Sequence, residues 1–100
     1  MSRNHQFYFA EEAKFEIKES YRWYETRVPN LGEKFLYDLN NCLDRIDKNP
    51  KLYRLVYRNH RQGQLTNFPF VVIYEIIDSS IRVISVFHTS RNPKRKFEDG

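Results

Sequence analysis

The chain has 100 residues, enough for one domain with its own core and too few for two. A single cysteine, Cys42, excludes an internal disulfide and any C-x-x-C metal or redox motif. The net charge of +4 is unevenly spread, with −1 over residues 1–50 and +5 over residues 51–100, so the second half points to an acidic partner.

One domain over residues 1–100 is expected, with an aromatic-rich core. Met1 to Ala10 lacks the apolar run of a signal peptide, and no stretch is long enough to span a bilayer. The expected location is a reducing cytoplasm, away from membranes.

In chain order, Gln6 to Phe9 reads as a short strand. Ala10, Ala13, Ile17, Tyr21 and Tyr24 then recur at spacings of three and four, one face of a helix, with Glu11 and Glu12 at its positive pole. Val28-Pro29-Asn30 breaks that pattern. Asn30 followed by Glu33 predicts a capping box for a second helix. Leu31, Phe35, Leu39, Cys42, Leu43 and Ile46 form its apolar seam, and Asn49-Pro50 ends it. The short connection predicts an antiparallel helical hairpin.

Leu52 to Tyr57 and Arg61 to Asn67 read as moderately polar strands, and Asn67-Phe68-Pro69 as a turn. Phe70 to Ile77 is apolar on both faces and belongs at the sheet centre. Asp78-Ser79-Ser80 turns the chain into a return strand, Ile81 to His88, and a basic segment follows. The fold class is α+β: a short first strand, a two-helix hairpin on a twisted antiparallel sheet, and a basic ending.

Chemistry-bearing motifs are few. His5, His60 and His88 have no partners at ligand spacing, so no metal site is expected, and there is no glycine-rich phosphate loop or nucleophile elbow. Cys42 lies on the apolar seam and reads as core packing. One cluster is left. His88, Arg91, Lys94, Arg95 and Lys96 close the chain, with Arg61 and Arg82 on neighbouring strands. Such cations neutralise phosphates, and an Arg with a His can stabilise and protonate a phosphoryl transition state.

Several segments resemble the RelE/ParE toxin superfamily of bacterial type II toxin–antitoxin systems. Ala13, Trp23-Tyr24-Glu25, Leu31-Gly32-Glu33-Lys34-Phe35 and Ile46-Asp47-Lys48-Asn49-Pro50 are similar to its helical half. Phe68-Pro69-Phe70-Val71-Val72-Ile73-Tyr74 resembles its central strand, and His88-Thr89-Ser90-Arg91-Asn92-Pro93 the ending of the ParE-like branch. The likeness runs from about Phe7 to Phe97.

The resemblance implies a helical hairpin on a twisted sheet, an oligomer with a cognate antitoxin, and no cofactor. ParE-like members poison DNA gyrase without cutting nucleic acid. RelE-like members cleave mRNA in the ribosome and carry an arginine early in the central strand, where this chain has Val71. The favoured expectation is a non-enzymatic, growth-inhibiting toxin of the plasmid-stabilising kind that binds gyrase. Target binding then falls to Arg61, His88, Arg91, Pro93, Lys94 and Arg95. Phe15, Trp23, Leu36 and Tyr37, which lie off the helical seams, are assigned to the antitoxin. The alternatives are a ribosome-dependent ribonuclease using His88, Arg91 and Arg82, and a non-toxic relative that acts as a binding module.

Overall fold

Seven elements appear in the computed structural model, which describes residues 3–90: β1 (Gln6–Phe9), α1 (Glu11–Arg27), α2 (Leu31–Lys48), β2 (Leu55–Tyr57), β3 (His60–Gln64), β4 (Phe70–Ile77) and β5 (Ser80–His88). The five strands form one sheet in the order β1-β5-β4-β3-β2. The expected antiparallel arrangement holds from β2 to β5, whereas β1 pairs parallel with β5, Gln6 opposite Ser80 and Phe9 opposite Val83. The cause is connection length. Successive strands joined by tight turns must run antiparallel, but β1 is separated from its partner β5 by both helices and the three other strands, a connection long enough to permit a parallel pair.

Both helices form where the apolar spacing places them. On α2 the seam residues Phe35, Leu39, Cys42, Leu43 and Ile46 are all buried. They pack with Ala13 of α1 against Phe70, Val72 and Tyr74 of β4 and Ile81, Val83 and Val86 of β5. Cys42 is part of this core, and burial pushes its thiol up to about 11, so it stays protonated and inert. β4 is apolar on both faces, as its sequence indicates. Val71 and Ile73 form a second cluster with Phe87, bordered by Val56 and Ile84.

The capping box at Asn30 does not form. Asn30 adopts a left-handed backbone, φ 72°, and makes no side-chain cap. Glu25, from the last turns of α1, takes its place, accepting from Gly32 N at 2.8 Å and Asn30 N at 3.3 Å. Glu33 instead accepts from the Tyr21 hydroxyl at 2.8 Å. The tight connection lays the end of α1 over the start of α2, so a carboxylate from outside the helix reaches its orphan amides first. Gly32 permits that approach. A β-carbon there would stand 2.7 Å from Glu25 Cγ and from the Tyr21 carbonyl oxygen.

Buried aspartates fasten the rest. Asp47 accepts from Asn4 N, His5 N and His5 Nδ1 at 2.7 to 2.8 Å, fixing the approach to β1. Asp38 accepts from Asn67 N and Phe68 N at 2.8 and 2.9 Å. That grip takes Thr66 to Pro69 into the turn, Leu65 N making the last bond to β4 at Phe70 O, 3.0 Å, so the strand β3 stops at Gln64 and not at the expected Asn67. β2 is likewise shorter than expected, because its sequence from Leu52 to Arg54 lies in the connection.

Candidate functional site

β5 has two different edges along its length. Up to Val83 it is covered by β1, and Ala10 N closes that pairing on Val83 O at 2.9 Å. Beyond Val83 the chain of β1 has already turned into α1. Glu16 of α1 fills the place of the missing strand, accepting from Val86 N and from Ser85 Oγ at 2.8 Å each. Beside it opens a cleft of ≈ 260 Å³ between α1 and the end of β5, lined by Phe15, Glu16, Glu19, Ser20, Phe70, Val86, Phe87 and His88.

His88 stands at the mouth of this cleft. Its ring packs edge-on against Phe70 at 5.2 Å. Its Nδ1 accepts from Ser90 N at 3.1 Å and lies 2.8 Å from Ser90 Oγ. Thr89 N donates to Pro69 O at 2.8 Å, so the strand end is tied to the turn before β4.

Arg82 lies near the opposite end of the same strand, six residues and about 20 Å away by strand rise. It pairs with Glu75 at 3.2 Å, directly across the ladder. Glu75 also accepts from Asn59 Nδ2 at 3.2 Å and lies 3.8 Å from His60 Nε2. Arg61 is occupied elsewhere. Its guanidinium donates to the carbonyls of Tyr53 at 2.6 Å and Lys51 at 3.1 Å, holding the connection into β2. The fold therefore does not bring Arg61, Arg82 and His88 to one point. Arg91, Pro93, Lys94, Arg95 and Lys96 lie outside the described residues.

Where RelE-like nucleases carry arginine, Val71 is buried at 4% exposure beside Ile73 and Phe87. On the hairpin, Phe15, Trp23 and Tyr37 are exposed, at 64%, 45% and 72%. Leu36 corrects the expectation for that group. It is half-buried and packs on the core, because the apolar stripe of α2 is wide enough to take in the neighbour of Phe35. Trp23 lies under the Arg27 guanidinium at 4.4 Å.

The spacing of apolar residues gave no sign of Glu16, and its environment perturbs it. Burial raises its carboxyl above the ordinary 4.5, against the lowering effect of the bonds from Val86 and Ser85. The folded chain holds this proton more tightly than the unfolded one. Its contribution to stability is thus greatest below pH 4.5 and declines as pH rises through the raised value. Asp47 has the opposite sign. Burial pushes it up, but its bonds to Asn4 and His5 outweigh that and hold it below 3.8. Its contribution is complete above 3.8 and is lost as pH falls through the lowered value. Glu16→Gln, which keeps an acceptor for Val86 N, is expected to abolish the first slope and leave the second. Urea midpoints measured from about pH 3 to 7 would show it; an unchanged upper slope would refute the assignment.

Among the described residues no helix is long and apolar enough to cross a membrane, and no group of three His, Cys, Asp or Glu side chains is placed to hold a metal ion.

The sequence matches the family described as the ParE toxin of the type II toxin–antitoxin system parDE over residues 7–93. Compared with curated protein sequences, the chain gives no significant match. Among solved structures, a chain of the chromosomal ParDE toxin–antitoxin system from P. aeruginosa is similar with a TM-score of 0.75 at 13% identity, covering 89% of this chain and 100% of that one. The isolated E. coli RelE toxin is similar with a TM-score of 0.65 at 20% identity, covering 92% of each. At these identities the two likenesses speak to the fold.

Proposed function

The chain belongs to the ParE toxin family of type II toxin–antitoxin systems, and from that premise we propose that it arrests growth by binding DNA gyrase, cuts no RNA, and is neutralised in the cytoplasm by a cognate antitoxin. The observation that carries the non-nuclease part is the burial of Val71 in the apolar cluster with Ile73 and Phe87. Phosphoryl transfer needs a cation and an acid or base converging on one phosphate. Here the position at which RelE-like enzymes carry their arginine is an apolar, solvent-excluded one, Arg82 is paired with Glu75, and His88 sits at the other end of the strand.

The deciding experiment adds the purified chain to gyrase with plasmid DNA and, in parallel, to translating ribosomes. Accumulation of cleaved, gyrase-linked DNA with intact mRNA is expected. Vigorous mRNA cleavage that disappears in His88→Ala or Arg91→Ala would overturn the proposal and make those side chains the acid and the transition-state clamp. Absence of any growth arrest on expression would favour a non-toxic binding module.

For the antitoxin, the exposed Phe15, Trp23 and Tyr37 support a partner that folds over the hairpin. The neighbour from P. aeruginosa is itself part of a ParDE system. Co-expression with the adjacent small reading frame should yield a copurifying complex, and Trp23→Ser with Tyr37→Ser should release it.

A further inference from the structure

The last turn of α2 and the connection into β2 form a surface apart from both the hairpin face and the His88 end of the sheet. Residues 45–58 contain five Lys/Arg and a single acid, Asp47. Asp47 is buried and engaged by Asn4 and His5, and it forms no ion pair with the exposed cations. The ammonium groups of Lys48 and Lys51 have no hydrogen bond or ion pair with any described residue.

Apolar surface lies in the middle of this charge. Leu52 is 73% exposed, more than any other large hydrophobic of the described chain. Arg45, Lys48, Asn49, Leu52 and Tyr53 line an open groove of ≈ 330 Å³. Lys48, Asn49 and Leu52 also border a second groove of ≈ 500 Å³, which continues past Lys51 to Ile76 and Asp78. Leu52 therefore lies between two hollows that share Lys48, with Arg45 lining the first and Lys51 the second, and with Asp78 as the one acid that lines either.

The two features together select the occupant. An exposed leucine gains by being covered, and the cations favour carboxylates beside whatever covers it. Nucleic acid would satisfy the charge but leave Leu52 without a partner, since Tyr53, the aromatic of the first groove, is half-buried and packed edge-on against Tyr74 and offers bases no open face. A lipid surface is flat, and these hollows are concave. The geometry points to a docking site for an acidic protein segment bearing an apolar anchor, the anchor seated beside Leu52 and Tyr53 and its flanking carboxylates facing Arg45, Lys48 and Lys51. The site is independent of the gyrase and hairpin assignments.

The test is fluorescence anisotropy of the full chain with a labelled peptide of alternating Glu and Leu. Saturable binding is expected, weakening as salt rises. Lys48→Glu with Lys51→Glu should weaken it about tenfold or more, and Leu52→Ser alone by a similar factor. Trp23→Ser with Tyr37→Ser, on the hairpin, should leave it unchanged. All substituted positions but Lys51 and Leu52 lie in helices at exposed sites, and Leu52→Ser alters only a loop, so its reading stands even if a charge reversal disturbs α2; melting curves confirm folding. No binding, equal binding by Leu52→Ser, or tighter binding of a single-stranded oligonucleotide or an anionic phosphatidylserine vesicle would each overturn the inference.

Discussion

Asp38→Ala is expected to cost about 3 kcal/mol and lower the melting temperature by roughly 12 to 24 °C. Asp38 is 1% exposed at mid-α2 and accepts from Asn67 N, Phe68 N and Asn67 Nδ2. Alanine leaves two backbone donors of the β3–β4 turn without their acceptor, at about 1 to 3 kcal/mol each, less what water recovers at the exposed Asn67. The damage should spread beyond the turn. Phe68 is held by it against Tyr24 and Phe35, with ring centroids 4.9 and 5.7 Å apart, and Pro69 O receives Thr89 N from the end of β5. Asp38→Asn keeps one acceptor oxygen and should cost roughly 1 to 2 kcal/mol. Thermal and urea unfolding of both variants would measure this. An alanine variant that melts within a few degrees of the parent would show that water replaces the carboxylate and that the turn is held by Phe68 packing alone.

Asp38 also marks the boundary of what the sequence could disclose. Periodicity reports on neighbours three and four residues apart, so the seam from Phe35 to Ile46 and the doubly apolar β4 were legible at once. The polar anchors act across 29 residues from Asp38 to Asn67, 42 from Asp47 to His5, and 70 from Glu16 to Val86. No local pattern distinguishes these acids from solvated ones. Asn30 failed for a related reason. Its capping signature is local, whereas Glu25 meets Gly32 N only through the close approach of the two helices at Gly32. The direction of β1 depends on a connection spanning both helices, which its four residues do not encode. At the site, residue types were readable but their meeting was not. Arg82 and Arg61 looked available as cations, yet each is taken up by a partner that becomes adjacent only in the assembled sheet.

Neutralising the basic ending is expected to separate toxicity from folding completely. Arg91, Lys94, Arg95 and Lys96 come after β5 in the sequence. The described ladder is finished before them: β5 ends at His88, Thr89 N is bonded to Pro69 O, and Ser90 N to His88 Nδ1. The core of Phe35, Phe70, Tyr74 and their neighbours is assembled from residues earlier in the chain. Arg91→Ala with Lys94→Ala, and deletion from Pro93 onward, should therefore leave the fold in place, each substitution changing stability by no more than about 0.5 kcal/mol. Both variants should still copurify with the antitoxin, which is assigned to Phe15, Trp23 and Tyr37 of the hairpin. Both should lose growth inhibition and gyrase-linked DNA cleavage if the four cations meet an acidic surface on gyrase or its DNA, and the parent's affinity should weaken as salt rises. A variant that stays fully toxic would remove the ending from target recognition and leave His88 as the sole described candidate there, since Arg61 is spent on Tyr53 and Lys51. A variant that unfolds would instead make His88 to Phe97 part of the scaffold, and the charge asymmetry between the two halves would then carry no functional meaning in this segment.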